Sequence, residues 1–225
     1  MNTSVIIPAA GLGSRFGSDK PKQFLNIGTM PILIKTITLF DEIDEVQNII
    51  IPVHLQWLNY TKELVEKYSC SKVKEVIIGG KERADSVRAG LNIDCVKNSD
   101  VILIHDAVRP LASRELIYNV MNAAEKYGAA IPVIPITDTV KQISRHRFIE
   151  KTLDRNKLAM AQTPQGYWPS ILIDAYVKGN EANFEGTDSA SFVEFFGFKV
   201  FVVDGEQTNI KITVQSDINY ARYLL

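Results

Sequence analysis

The feature that most constrains this chain is an apolar run near its N-terminus that leads directly into a glycine-containing loop. Residues 5–7 are apolar and β-branched, as in a buried strand. Gly11 and Gly13 follow among small residues, which lets backbone N–H groups approach a bound anion closely. Arg15 and Lys22 add positive charge nearby. The pattern predicts a strand ending on a phosphate-binding loop, one suited to a triphosphate whose charge grows during reaction.

Two better-known phosphate loops do not fit this spacing. A dinucleotide fingerprint reads G-x-G-x-x-G, but the third glycine is Gly17, one position late. The candidate second strand at 48–53 also ends without an acidic residue for a ribose. A Walker A loop needs Ser or Thr after its Gly-Lys pair, whereas Gly80 and Lys81 are followed by Glu82. With both of these excluded, we predict a nucleotide-binding loop of another kind. The alternative is a tight strand-to-helix turn whose charged side chains are only solvated.

Composition and charge disfavour several other classes. The 225 residues carry a formal net charge of -1, so no global basic field favours nucleic acid or an anionic membrane as partner. Cys70 and Cys95 lack C-x-x-C spacing, which indicates reduced thiols rather than a metal site. Pro8 and Gly11 interrupt the N-terminal apolar run, so neither a signal peptide nor a membrane span is predicted. We expect a cytoplasmic protein.

Strand-like and helical patterns alternate along the chain after the first loop. The predicted strands are residues 48–53, 73–78, 101–104 and 129–136, and the predicted helices are about 32–43, 57–68, 86–93 and the segment behind a Ser113 cap. This alternation predicts an α/β fold with a mostly parallel twisted sheet and helices on both faces. Ligands of such sheets bind at the carboxyl ends of the strands.

Two segments depart from the alternation. Residues 138–155 read as two short strands around a polar tip, which predicts a projecting β-hairpin arm. An isolated hairpin is marginal in water, so a second subunit is a natural packing partner. Near the end, residues 199–203 and 210–212 read as strands and 216–225 as a helix. We see no linker or repeat and expect one domain over 1–225 with this arm.

A second glycine turn follows the predicted strand 73–78. Gly79 and Gly80 permit close backbone approach to a flat ligand such as a base, and Ser86 lies near the start of the next helix. Taken alone, a plain capped turn explains these residues equally well. Its position at the same sheet edge as the first loop favours a shared site.

Charged residues follow the next predicted strand as well. Asp106 is placed to hold Mg²⁺ beside a triphosphate, and Arg109 could fork onto a phosphate monoester, although an ion pair between the two is the alternative. His105 has no histidine cluster around it and is expected to be hydrogen-bonded within the fold. Lys211 alternates with Ile210 and Ile212, so its side chain should point away from theirs, as a solvated lysine also would.

Together these segments resemble one family, in the order of its motifs. The motifs are Pro8-Ala9-Ala10-Gly11-x-Gly13-x-Arg15, Pro21-Lys22-Gln23, Gly79-Gly80-x-Glu82-Arg83-x-Asp85-Ser86-Val87, His105-Asp106-Ala107-x-Arg109-Pro110, Asp138-Thr139, Asp154-Arg155, Gln162-Thr163-Pro164-Gln165, Thr187-Asp188 and Asn209-Ile210-Lys211-Ile212-Thr213. On them the chain is similar to 2-C-methyl-D-erythritol 4-phosphate cytidylyltransferases. The resemblance implies a Rossmann-like nucleotidyltransferase fold and a homodimer joined through the hairpin arm. It also implies transfer of CMP from CTP to methylerythritol phosphate, with release of pyrophosphate, in non-mevalonate isoprenoid synthesis.

The resemblance also implies roles for individual residues. The implied catalytic residues are Arg15, Lys22, Arg155 and Lys211. The implied CTP-binding residues are Pro8, Ala9, Ala10, Gly11, Gly13, Arg15, Lys22, Gly79, Gly80, Arg83, Ser86 and Ala107. The implied substrate-binding residues are Asp106, Arg109, Thr139, Arg155, Thr163 and Lys211, with Asp106 holding Mg²⁺. The partner's arm could supply Arg155 and Thr139. Lys81 departs from the family pattern and is expected to face solvent.

Three rival functions stay open at this point. A ribitol 5-phosphate cytidylyltransferase would share the nucleotide half, but Ala9-Ala10-Gly11 and Gln162-Thr163-Pro164-Gln165 favour methylerythritol. A non-catalytic nucleotide-binding regulator is disfavoured because Lys22, Asp106 and Lys211 are all present. The loop spacing disfavours a sugar-phosphate oxidoreductase.

Overall fold

The structure, a computed structural model, describes residues 1–12 and 20–224. Its strands are β1 (Thr3–Ile6), β2 (Asn26–Ile27), β3 (Met30–Pro31), β4 (Val46–Val53), β5 (Val73–Ile78), β6 (Val101–Ile104), β7 (Ala129–Pro135), β8 (Lys141–Ile143), β9 (Ile149–Thr152), β10 (Ala159–Ala161), β11 (Gln165–Tyr167) and β12 (Phe201–Asp204). Its α-helices are α1 (Ile32–Asp41), α2 (Leu58–Lys67), α3 (Arg83–Leu91), α4 (Asp94–Lys97), α5 (Arg114–Tyr127), α6 (Pro169–Glu181), α7 (Ser189–Phe195) and α8 (Gln215–Tyr223).

A central sheet of eight strands organises the molecule. Seven strands follow the order β10-β7-β11-β6-β1-β4-β5, and β12 also pairs with β7. The pairs β1 with β4, β1 with β6, β4 with β5 and β12 with β7 are parallel. β10 and β11 run antiparallel to their neighbours. The predicted α/β fold with a mostly parallel sheet is therefore confirmed, and two antiparallel strands are added that the sequence pattern did not indicate.

Helices cover both faces of the sheet because its central strands are apolar on both sides. Val5 and Ile7 pack into one apolar cluster with residues of α1 and α5. Ile6 points the other way and packs with residues of α3 and α6. Side chains of a strand alternate between its two faces, so a continuous apolar run such as 5–7 requires a cover on each.

The predicted helix behind Ser113 has the expected ends. The Ser113 Oγ accepts a hydrogen bond from the Leu116 N–H at 3.0 Å, which satisfies one N–H of the first turn of α5. At the other end Gly128 adopts φ +85°, the left-handed conformation that closes many helices. Local sequence signals thus set both ends of α5.

The predicted arm is a two-stranded antiparallel hairpin of β8 and β9. Lys141 faces Thr152 across the pair, and the Leu153 N–H donates to the Val140 carbonyl at its base. Both strands are exposed along their whole length. The hairpin projects from the sheet, as predicted.

The predicted strand at 210–212 is wrong, since these residues form an irregular extended segment. Its Ile212 N–H donates to the Val108 carbonyl at 2.9 Å, a single link rather than a ladder. Ile212 is nevertheless fully buried while Lys211 is exposed, so the predicted alternation of side chains is confirmed. Gln165, the last residue of the Gln162-Thr163-Pro164-Gln165 motif, begins β11. Among the described residues, no helix is both long and apolar enough to span a bilayer.

Candidate active site

A cavity of about 750 Å³ opens where several loops meet at the carboxyl ends of the parallel strands. Its walls come from the loops after β1, β5 and β6, from the turn before β2 and from the segment before α8. The lining residues are Pro8, Ala9, Ala10, Gly11, Leu12, Lys22, Gln23, Gly80, Lys81, Glu82, Arg83, Ser86, Asp106, Ala107, Val108, Lys211 and Thr213. The three predicted constellations therefore share one cavity.

The first loop continues the line of β1 along β4. The Ile7 N–H donates to the Ile50 carbonyl at 2.9 Å, and the Ala9 N–H to the Pro52 carbonyl at 2.8 Å. The loop therefore leaves the sheet only after Ala9. The predicted site residues Gly13 and Arg15 lie outside the described residues.

Lys22 stands on the cavity wall, as predicted, at the start of a single 3-10 turn. Its Nζ donates to the Ile212 carbonyl at 2.9 Å. This bond places the Lys22 ammonium beside the segment that carries Lys211, although the two lysines are far apart in sequence. Two of the predicted catalytic cations therefore share one side of the cavity.

The second loop packs tightly against the first at Gly79. A Cβ on Gly79 would lie 2.8 Å from both the Ala10 Cβ and the Ser86 Oγ, distances that real Cβ atoms do not reach. Only glycine permits this approach. Next to it the Gly80 N–H donates to the Ser86 Oγ at 3.2 Å, so Ser86 stabilises the loop besides facing the cavity. Gly79 itself lies behind the cavity lining.

Asp106 sits at the centre of a group of basic side chains. Its Oδ1 lies 3.1 Å from the Arg83 Nε, and its Oδ2 lies 2.9 Å from the Lys211 Nζ and 3.6 Å from the Arg109 Nε. Burial raises the pKa of the Asp106 carboxyl, but attraction to Arg83, Lys211 and Arg109 outweighs it and holds the pKa well below its usual range. Asp106 is therefore a firmly ionised carboxylate.

His105 supports this group from beneath. Its Nε2 faces the Arg109 carbonyl at 2.9 Å, an acceptor, so this nitrogen carries the proton. Its Nδ1 then accepts from the Thr163 hydroxyl at 3.1 Å, and the Thr163 Oγ1 in turn accepts from the Asp106 N–H at 3.0 Å. Burial lowers the pKa of His105 to about 4. The expected structural role for His105 is confirmed.

Four predicted acceptor-binding residues do not line the cavity of the single chain. Arg109 is buried behind Asp106, with its Nη1 donating to the Asn209 carbonyl at 2.6 Å. Thr163 is buried in the hydrogen-bond chain below Asp106. Thr139 and Arg155 are exposed near the base of the hairpin arm, where the Arg155 guanidinium donates to the Thr137 carbonyl. Their substrate roles stay predictions.

Several lining residues were not predicted as site residues. They are Leu12, Gln23, Lys81, Glu82, Val108 and Thr213. Most of them adjoin a predicted site residue in sequence, so position next to a glycine or a cation was the available signal. Lys81 is exposed, as expected, but stands at the cavity edge. Gln23 is almost fully buried and directly follows the predicted cation Lys22.

Asp106 offers a carboxylate of the kind that binds Mg²⁺ in proteins. No group of three or more His, Cys, Asp or Glu side chains capable of holding a metal occurs in the described ranges. Mg²⁺ commonly takes only one or two protein carboxylates and completes its coordination with phosphate oxygens and water. An ionised carboxylate facing a cavity fits that kind of site, and no all-protein cage is indicated.

Comparisons with known proteins agree with this geometry. A family model described as 2-C-methyl-D-erythritol 4-phosphate cytidylyltransferase matches residues 3–225. Relatives with that name from Bacillus cereus and Clostridium botulinum are 40% and 42% identical; each alignment covers 99% of this chain, with 97% and 98% of the relative. The crystal structure of the Francisella tularensis enzyme of that name is 34% identical with a TM-score of 0.85, covering 100% of both chains. On sequence and fold alike, this chain belongs to the 2-C-methyl-D-erythritol 4-phosphate cytidylyltransferase family.

Proposed function

We propose that CTP and 2-C-methyl-D-erythritol 4-phosphate meet in the cavity at the carboxyl ends of β1 and β6. There the chain transfers CMP to the acceptor and releases pyrophosphate. Membership of the family makes the protein a nucleotidyltransferase of isoprenoid precursor synthesis. The observation that carries the proposal for this site is the convergence of two glycine loops with Lys22, Lys211 and Asp106 on one cavity.

The charge of the cavity suits two phosphorylated substrates. Its described lining holds four basic side chains and two acidic ones, which leaves two positive charges in excess. The basic residues are Lys22, Lys81, Arg83 and Lys211, and the acidic ones are Glu82 and Asp106. A positive cleft raises the local concentration of polyanions and lowers their mutual repulsion.

The nucleotide and its phosphates take different parts of the cavity in this proposal. The loop at 79–80, with Ser86, receives cytosine and ribose, and the loop at 8–12 turns its backbone N–H groups to the phosphates. The triphosphate then extends towards Lys22; a phosphate contact of Arg15, which lies outside the described residues, stays a prediction from the sequence. This orientation leaves the Lys211 and Asp106 side for the acceptor.

The chemistry needs alignment more than proton transfer. A phosphate oxygen of the acceptor attacks the α-phosphorus of CTP, the bond from that phosphorus to the bridging oxygen breaks, and pyrophosphate leaves. A phosphate monoester is already an anionic nucleophile, so no Ser-His-Asp arrangement is required. Lys22 and Lys211 screen the repulsion between the two anions and stabilise the charge that develops.

Asp106 is the proposed Mg²⁺ ligand. Mg²⁺, when bound, would neutralise triphosphate charge beside this carboxylate. The low pKa of the Asp106 carboxyl supports the role, since a metal ligand must be deprotonated. Arg83, Arg109 and the chain through Thr163 and His105 hold the carboxylate in position.

A homodimer through the arm would complete the acceptor end. Three apolar side chains of the hairpin are largely exposed, namely Ile143 (64%), Phe148 (74%) and Ile149 (65%). Exposed apolar patches of this kind mark protein–protein contacts. Arg155 and Thr139, at the base of the same arm, are exposed and away from the cavity of their own chain. We assign them to the acceptor pocket of the partner subunit.

The cytoplasm is the proposed location. Cys70 and Cys95 form no disulfide in the described structure. Free thiols persist in a reducing compartment.

The testing experiment is Mg²⁺-dependent pyrophosphate release by purified protein with CTP and either methylerythritol 4-phosphate or ribitol 5-phosphate. ATP, GTP and UTP serve as nucleotide controls. We expect release with CTP and methylerythritol phosphate alone. Release only with ribitol phosphate would overturn the acceptor, and binding of CTP without release from either would support a non-catalytic regulator.

A further inference from the structure

One side chain, Gln23, ties the two sides of the first loop together. Its Nε2 donates to the Ala9 carbonyl at 2.8 Å and to the Gly11 carbonyl at 2.9 Å. Gln23 is only 4% exposed and lies on the cavity wall directly after Lys22. Its neighbour Phe24 is 1% exposed and packs against Trp57 with ring centroids 5.0 Å apart, which anchors the turn from the other side.

The chemistry of the partners fixes which end of the Gln23 amide faces the loop. Both partners are carbonyl oxygens, which only accept, so the NH₂ group must point towards them. In a trans peptide the C=O and the following N–H point in opposite directions, and both peptides concerned are trans. Because Gln23 holds the carbonyls of Ala9 and Gly11, the N–H groups of Ala10 and Leu12 are turned away from it.

These N–H groups have no partner within the described part of the chain. Ala9 donates to the Pro52 carbonyl, but the backbone N–H groups of Ala10, Gly11 and Leu12 donate to no group in residues 1–12 and 20–224. All three residues line the cavity. Successive unpaired N–H groups on a cavity wall form a binding site for an anion.

We infer that Gln23 is a positioning residue for the CTP triphosphate, which it serves by aiming the loop N–H groups into the cavity. The inference rests on the proposed function, because it takes CTP as the ligand. Gln23 touches the loop rather than the reacting atoms. Because Gln23 directly follows Lys22, its hydrogen bonds also hold the backbone from which the Lys22 side chain extends. The loop N–H groups and the Lys22 ammonium then face the same triphosphate.

The test uses two variants of similar size to glutamine. Gln23→Met keeps the length but cannot donate, and Gln23→Glu keeps the shape but replaces the donor with an acceptor. We expect the CTP dissociation constant, measured by calorimetry, to rise at least about ten-fold for Met and further for Glu. The KM for methylerythritol phosphate should stay within about two-fold, because the acceptor side is untouched. Gln47→Met and Gln47→Glu, at an exposed glutamine, are the matched controls and should bind CTP as wild type does.

A second measurement does not depend on the variants folding. In ¹⁵N-labelled wild type, the amide resonances of Ala10 and Leu12 should shift with CTP and not with cytidine, since only the phosphates reach these N–H groups. Unchanged resonances, CTP affinity retained in folded Gln23→Met, or equal loss of both substrates would each overturn the inference. Wild type that neither binds CTP nor releases pyrophosphate would instead refute the proposed function, so the two failures are distinguishable.

Discussion

At the scale of single residues, Asp106 and Lys22 show how position decides a role. Asp106 is held by cations from three separate segments, so it is ionised and fixed before any substrate arrives. The Lys22 Nζ donates to the Ile212 carbonyl, which places its ammonium on the cavity wall beside the segment that carries Lys211. We therefore expect Lys22 to stabilise the charge of the transition state, and Asp106 to bind Mg²⁺ and help to orient the substrates.

Lys22→Ala should lower the rate of the chemical step while leaving the fold intact. Removing one positioned group that stabilises developing charge typically costs about 10²–10³ in kcat, and we expect at least a hundred-fold fall. Single-turnover pyrophosphate release and circular dichroism are the measurements. Lys97→Ala, at an exposed lysine on α4, is the control and should turn over normally. Near-normal turnover of Lys22→Ala would refute its assignment.

Buried His105 should make stability depend on pH. Its pKa is about 4 in the folded chain and about 6.5 when unfolded. Below pH 6.5 the unfolded chain binds a proton that the folded chain excludes, so stability is complete above pH 6.5 and is lost as pH falls towards 4. We expect a loss of about 2 kcal/mol between pH 7 and pH 5 from this group.

Urea unfolding at several pH values measures the effect. His105→Gln keeps one donor for the Arg109 carbonyl and one acceptor for the Thr163 hydroxyl but cannot titrate. Its unfolding free energy should therefore fall less between pH 7 and pH 5 than that of wild type. His146→Gln, in the exposed hairpin tip, should match wild type. Parallel pH profiles for wild type and His105→Gln would contradict the prediction.

At the scale of elements, the meeting of two strand-to-helix loops forms the nucleotide side of the cavity. Gly79 lies where the loop after β5 touches the loop after β1. The Gly79 N–H donates to the Val53 carbonyl at 2.7 Å, so the backbone cannot move away to admit a side chain without breaking a sheet bond. The two loops therefore pack against each other at Gly79 with no room for a side chain between them.

Gly79→Ala should destabilise the protein and weaken CTP binding together. The new Cβ would lie 2.8 Å from the Ala10 Cβ, and overpacking of this kind costs about 1–3 kcal/mol. Thermal unfolding and CTP calorimetry are the measurements. Gly11→Ala is the matched control for stability alone, because a Cβ there meets nothing within 4 Å. A Gly79→Ala protein as stable as Gly11→Ala would show that the loops can separate.

At the scale of the whole molecule, one chain does not assemble every predicted acceptor residue. Lys211 and Asp106 face the cavity, whereas Arg155 and Thr139 lie at the base of an exposed arm. A second copy related by a two-fold axis would exchange the same elements between subunits. Assembly and acceptor binding should then be lost together.

Phe148→Asp should convert the proposed dimer to monomer, because it places a charge in an apolar contact. Light scattering coupled to gel filtration gives the mass. Steady-state kinetics should show a raised KM for methylerythritol phosphate with little change for CTP. Tyr223→Asp, at another exposed aromatic side chain, should remain dimeric and serves as control. A monomeric wild type with full activity would contradict the proposal.

The sequence by itself determined the features that depend on near neighbours. Apolar runs, turn glycines and the Ser113 cap act over a few residues, so the main parallel strands, α5, the arm and the two glycine loops could be predicted. The order of motifs also indicated the family. The alternation at 210–212 predicted that Lys211 and Ile212 face opposite ways, even though no strand forms there.

Only the tertiary structure decided which distant residues meet. The three-residue strands β10 and β11 are too short for their own pattern to specify them, and they form because β6 and β7 leave backbone groups to pair. Sheet order then brings Arg83, Asp106 and Lys211 within contact distance from three separate segments. The burial of Arg109 behind Asp106 likewise depends on how the loops assemble. Arg109 is therefore buried off the cavity wall, with its guanidinium on the Asn209 carbonyl. This contact joins segments far apart in sequence, so the neighbours of Arg109 in the chain do not predict it.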